Sequence, residues 1–175
     1  MFIFFLTFFK FAGNMRNQYF NEEVFMGEIK KILVPIDFSP ASPVLVPYVK
    51  TLGQKLGAEV HLFYVVRSLA YFGGFYVPHT SIQKFEDEIL KGAERKMDDF
   101  VEDHFEDFPV QTHILTGDAA EEIINFAKKE GFDLILMGTH GRKGLDKVIF
   151  GSVAEKVVKG APCPVLTINP YRKKD

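Results

Sequence analysis

From residue 28 onward, short unbroken apolar runs alternate with longer stretches whose apolar residues recur every three or four positions. Lys31-Ile-Leu-Val-Pro-Ile36 is the first run. An apolar, β-branched segment of this length predicts a strand buried on both faces. Asp37-Phe-Ser-Pro-Ala-Ser-Pro43 follows, with Ser39 and Ser42 each placed directly before a proline as candidate N-caps. The helix they start is expected to reach about Leu56 and stop at Gly57, with Pro47 kinking or shortening its first turns. Glu59 to Val66 reads as a second strand, and 67–79 as a Gly/Tyr/Phe/Pro loop without periodicity. Ile82, Phe85, Ile89, Ala93, Met97, Phe100, Val101 and Phe105 carry the spacing of a helix over about 81–105.

Val110 to Leu115 predicts a short third strand whose polar alternation suits a place near a sheet edge. Gly117-Asp118 then caps a helix with Glu121 and Glu122 in its first turn and Lys128, Lys129 and Gly131 at its end. Acids first and bases last match the helix dipole. Asp133 to Met137 is the fourth and most apolar strand, 138–151 a Gly-rich loop, Ser152 to Lys159 a short helix, and 164–168 a fifth strand. Strands alternating with helices predict an α/β fold: a five-stranded parallel sheet in a three-layer α/β/α sandwich. The common order for five strands is 2-1-3-4-5 or a relative of it. Ligands of such sheets bind beyond the carboxyl ends of the strands, where the order reverses. The loops after strands one and four are therefore the ones to examine.

Composition narrows the class. The chain has 175 residues, 47% of them hydrophobic and 25% charged, which suits one globular domain. The net charge of −2 gives no footprint for nucleic-acid binding. A single cysteine, Cys163, allows no intrachain disulfide, so the expected setting is cytoplasmic. No apolar run approaches the roughly 20 residues that cross a bilayer, so no membrane is expected as a partner. Eight of the 19 phenylalanines fall in residues 1–25, a hydrophobic extension that ends before regular sequence begins after Met26. It reads as an over-extended start or poorly ordered tail, as a short anchor, or as a segment that packs on a partner. Residues 28–170 form the expected domain and 171–175 a basic tail.

The chemistry concentrates in Met137-Gly-Thr-His-Gly-Arg-Lys-Gly-Leu-Asp-Lys-Val-Ile-Phe-Gly-Ser-Val153. Its skeleton is Gly138, two residues, Gly141, nine residues, then Gly151-Ser152 opening a helix. Glycines let a backbone approach a phosphate and permit positive φ, so that successive N–H groups form a nest. A helix start adds further N–H groups and the positive dipole end. The pattern predicts a phosphate cradle in two pieces. It is neither a P-loop, lacking Gly-Lys-Ser/Thr, nor the dinucleotide fingerprint, which follows the first strand.

These residues resemble the ATP-binding branch of the universal stress protein family. The carriers are 31–39, 59–65, Asp133-Leu-Ile-Leu-Met-Gly-Thr-His-Gly141, Gly151-Ser-Val153 and Cys163-Pro-Val-Leu166, so the resemblance spans about 28–170. It implies strand order 3-2-1-4-5, ATP as ligand and a homodimer paired through 164–168. It implies that Gly138, Gly141, Gly151 and Ser152 hold phosphates and ribose, that Asp37 lies near them, and that the backbone of Val65 meets adenine. Pro35, Met137, His140 and Val153 fall at further positions of the same nucleotide motif.

Bland readings stand beside the sharp ones. Asp37 is also a reasonable helix-start acid. As a ligand residue it would hold Mg²⁺ or Mn²⁺ through phosphate-bound water. His140 is either a phosphate donor or solvated, and Arg142, Lys143 and Lys147 are either a solvated loop face or phosphate neutralisers. Cys163 reads as a buried inert thiol, His61 and His113 as structural, and His79 and His104 as surface residues. Tyr71, Phe72, Phe75 and Tyr76 read as a lid or contact patch.

The expected function is an ATP-binding regulatory switch in stress response, with slow hydrolysis at most and a downstream protein partner still to be identified. The alternative is an ATP-hydrolysing or adenylate-forming enzyme of the same class, although neither His-x-x-His nor Ser-Gly-Gly-x-Asp is present. A phospho-receiver would need an Asp closing strand three, where Ile114-Leu-Thr-Gly117 stands. A flavin module would need its phosphate loop after strand one.

Overall fold

The structure, a computed structural model, describes residues 28–67, 79–139 and 151–171, with 79–85 as backbone only. Residues 1–25, the aromatic cluster at 71–76, and His140, Gly141, Arg142, Lys143, Asp146 and Lys147 lie outside the described residues. The elements in chain order are β1 (Lys31–Pro35), α1 (Ser42–Leu56), β2 (Glu59–Arg67), α2 (His79–Phe105), β3 (Gln111–Gly117), α3 (Ala119–Glu130), β4 (Leu134–Gly138), α4 (Ser152–Gly160) and β5 (Val165–Ile168).

All pairings are parallel and the order is β3-β2-β1-β4-β5. The third strand sits at an edge, as its polar alternation suggests. The apolar runs of β1 and β4 are unbroken because both of their faces are covered. Ile32, Val34, Leu134 and Leu136 pack with Leu45, Val49, Met97 and Phe100 under α1 and α2. Leu33, Ile135 and Met137 pack with Phe63, Ile123, Phe132 and Val157 under α3 and α4. Alternate residues of one strand thus feed two core layers.

Local chemistry explains the ends of the helices. The Asp118 carboxylate accepts from the N–H groups of Ala120 and Glu121 at 3.1 and 3.2 Å, the N-cap expected for α3. Gly57 and Gly131 close α1 and α3 with φ of 62° and 66°. Neither Ser39 nor Ser42 caps α1. Its N-cap is Ala41, and the hydroxyls of both serines bond within the preceding turn, Ser39 to Ala41 N–H and Ser42 to Asp37. Nor does Pro47 shorten α1. The carbonyl its missing N–H would have served belongs to Pro43, an exposed residue of the first turn.

Two helical glycines separate space from flexibility. A Cβ on Gly53 would stand 2.7 Å from Phe108 Cζ and 3.0 Å from Val60 Cγ2, whereas one on Gly92 meets nothing within 4 Å. Gly53→Ala is expected to cost about 1–3 kcal/mol by overpacking. Gly92→Ala should gain roughly 0.5–1 kcal/mol of helix propensity. Chemical denaturation of the two variants checks the opposite signs.

Candidate functional site at the carboxyl ends of β1 and β4

β1 has β2 on one side and β4 on the other, so the order reverses between β1 and β4. The loops leaving these two strands therefore open on the same edge of the sheet, at the switch point. Register steps this edge, because β2 runs past the end of β1. Pro35, the last residue of β1, pairs with Phe63, and Ile36 N–H donates to the Phe63 carbonyl at 2.9 Å. β2 continues to Arg67. Alternate residues of a strand aim their main-chain groups to the same side. The N–H and carbonyl of Val65 therefore face the space beyond the end of β1.

Asp37 follows that end. Its Oδ1 accepts from Ser39 N–H and from the Ser42 hydroxyl, both at 3.0 Å, and Ser42 Oγ accepts from Asp37 N–H at 3.3 Å. The carboxylate thus organises the turn into α1, so the helix-start role is real and any ligand role is added to it. Phe38 bridges this turn with φ of 54°, unusual for a residue with a Cβ. Its ring lies 4.5 Å from Tyr64 and 6.1 Å from Phe100, and this packing holds the backbone there. Nothing in the local sequence announces it.

At the end of β4, Gly138 pairs with Ile168, and Thr139 N–H donates to the Ile168 carbonyl at 2.8 Å. The Thr139 carbonyl accepts from Gly151 N–H at 2.7 Å. That bond brings the two glycine ends of the motif together across 140–150. It also corrects two expectations. The Gly151 N–H is committed to Thr139 rather than open to an anion. Gly151 has φ of −70°, and Gly138 is not among the positive-φ glycines, so neither supplies the left-handed backbone of a nest. What remains for an anion is the first turn of α4, where the N-cap Gly151 has no side chain to cap the N–H groups of Ser152 and Val153. Ser152 is exposed and Val153 half-buried. Pro35 and Met137 are buried, Met137 in the core layer under α3 and α4.

Other expectations resolve away from this edge. A recess of about 270 Å³ lies between Phe38, Ser39 and Pro43 and the α2 residues Lys96, Asp99, Phe100 and Asp103, and contains no predicted ligand residue but the neighbours of Asp37. Cys163 is half-buried rather than buried. Burial, then the charge of Asp133, push its thiol up, which keeps it protonated and inert. His104 is half-buried against Phe100, with ring centroids 4.6 Å apart, rather than a plain surface residue. Among the described residues no three His, Cys, Asp or Glu side chains gather as a metal site, and no helix is long and apolar enough to cross a membrane.

Comparison with known proteins matches residues 28–169 to the model of the universal stress protein family. The chain belongs to the universal stress protein family. Universal stress protein MJ0531 of Methanocaldococcus jannaschii is 35% identical over 147 residues, covering 83% of this chain and 85% of the relative. Universal stress protein MJ0577 of the same organism is 33% identical over 154 residues, covering 80% of this chain and 94% of the relative. The solved structure of MJ0577 superposes with a TM-score of 0.71, over 85% of this chain and 99% of that one. UspA from Lactobacillus plantarum superposes with a TM-score of 0.63 at 27% identity, over 81% of this chain and 99% of that one. The strand order of this universal stress protein is therefore the one its resemblance implied, 3-2-1-4-5 rather than 2-1-3-4-5.

Proposed function

We propose that this universal stress protein binds ATP at the edge where β1 and β4 end, and serves as a nucleotide-dependent regulatory switch in stress response. The observation that carries the reading is the Thr139–Gly151 bond of 2.7 Å, which places an uncapped helix start directly beside the end of β4. The fit is chemical. Phosphate takes the Ser152 and Val153 N–H groups together with Gly138, Gly141 and His140. Adenine takes the main chain of Val65. Asp37, already fixed by two hydrogen bonds, supplies the carboxylate for an Mg²⁺ or Mn²⁺ held through water. Two copies pair through β5, the four-residue edge strand whose Leu166 is 39% exposed, because a twofold partner covers an open edge. The setting is cytoplasmic and the output passes to a further protein.

Hydrolysis is slow in this reading. Phosphoryl transfer depends on a positioned water and on charge stabilisation. Asp37 Oδ1 is already occupied by Ser39 and Ser42, which ties the carboxylate to its turn. Turnover is expected below about 1 s⁻¹, under the low end of typical enzymes. A steady-state phosphate-release assay with Mg²⁺ checks it. Several turnovers per second, lost in Asp37→Ala with ATP binding retained, would make the protein an ATPase in its own right.

A further inference from the structure

His61 on β2 and His113 on β3 stand 52 residues apart in sequence, yet their rings are stacked with centroids 5.2 Å apart and planes 9° from parallel. His61 Nδ1 lies 2.9 Å from His113 Nε2. Register explains the meeting: His61 pairs with Gln111 and Phe63 with His113, so the two rings are diagonal neighbours on the face that α3 covers. Phe132 meets His61 edge-on at 4.8 Å, and Phe126 meets His113 at 4.8 Å. His61 is 6% exposed, and its Nε2 is buried without a hydrogen bond; the Glu59 carboxylate is 3.6 Å away. The other charges that bear on the pair are Lys31 on β1 and Glu130 at the end of α3.

A hydrogen bond between two imidazoles needs one bare nitrogen. The arrangement with a proton on His61 Nε2, turned toward Glu59, and His113 Nε2–H donating to a bare His61 Nδ1 satisfies most atoms. One added proton enters at His113 Nδ1 and leaves that bond intact. A second must enter at His61 Nδ1, where it makes both facing nitrogens donors and both rings cations.

We propose that His61 and His113 form an acid-released latch between β2 and the edge strand β3. With at most one extra proton the pair ties the strands; with two it parts, and β3 loosens together with its contact to Phe126 of α3. Burial pushes both imidazoles below their ordinary value, and for His113 the charge of His61 adds to it, while Glu59 and Glu130 oppose. The folded values thus lie below the unfolded value of about 6.5. The latch therefore contributes its full stability above that pH and loses it as pH falls through the depressed values.

Hydrogen exchange on the full chain between pH 7.5 and 5, corrected for the intrinsic rate, tests the latch. The amides between Thr112 and Thr116 of β3 that donate to β2 are expected to lose protection by on the order of tenfold relative to the β4 amides of Leu134 to Met137. His113→Phe keeps the stacked ring and His113→Gln keeps a donor; neither can take the proton, and both should show no such loss. Imidazole nitrogen shifts should show the two rings titrating as a coupled pair below the ordinary range. Equal loss of protection in wild type and both variants, unchanged protection in wild type, or independent titration near the ordinary value would overturn the latch.

Discussion

Gly141→Val is expected to abolish ATP binding while the protein still folds. Thr139 and Gly151, joined by their 2.7 Å hydrogen bond, bracket the segment that carries Gly141, so this glycine lies between the end of β4 and the start of α4. In the proposed cradle a branched side chain at this position takes space that a phosphate needs. The affinity loss should exceed about a hundredfold, equivalent to roughly 2.7 kcal/mol. Calorimetric titration reads the affinity, and thermal unfolding without ligand confirms that the fold is intact. Wild-type affinity in the variant would remove Gly141 from the cradle.

Phe63→Ala is expected to have the opposite signature, a large loss of stability felt everywhere. Phe63 is fully buried in β2, stacks on Phe126 at 4.8 Å, and lies between Pro35 of β1 and His113 of β3 in register. Its carbonyl also receives Ile36 N–H where β1 ends. Truncating a buried Phe costs about 3–5 kcal/mol in transfer and cavity terms. At roughly 2–4 °C per kcal/mol for a domain near this size, the melting temperature should fall by on the order of 10 °C. A shift of only a degree or two would mean that the layer under α3 collapses to fill the space, contrary to the packing described.

Much of this architecture is written in the periodicity of the chain. The unbroken runs at 32–36 and 134–137 mark strands covered on two faces, and the spacing of Ala93, Met97, Phe100 and Phe105 marks the buried stripe of α2. The order of the strands is written there only in part: the polar alternation of 110–115 suits an edge, which 3-2-1-4-5 gives the third strand and 2-1-3-4-5 does not. The motifs shared with the family favour the same order. The serines before α1 show a similar limit. Both are good N-caps by residue type, but the Ser42 hydroxyl donates to Asp37 and the Ser39 hydroxyl accepts from Ala41 N–H, so Ala41 takes the cap position.

The glycine skeleton is legible as a candidate phosphate site because its spacing and its place after a strand are properties of the chain. The tie between Gly151 and Thr139 is not, since it depends on where the strand end meets the helix start. The left-handed backbone of Phe38 depends on Tyr64 and Phe100, far away in sequence. His61 and His113 each look like ordinary strand residues until register places one beside the other.

Nucleotide content of the purified protein tests the central claim most directly. Protein prepared without added nucleotide, denatured and chromatographed, is expected to release adenine nucleotide in near-stoichiometric amount, and the emptied protein to take up ATP with Mg²⁺ in a saturable titration. An empty preparation that shows no saturable uptake of ATP at millimolar concentration would contradict a nucleotide site where β1 and β4 end.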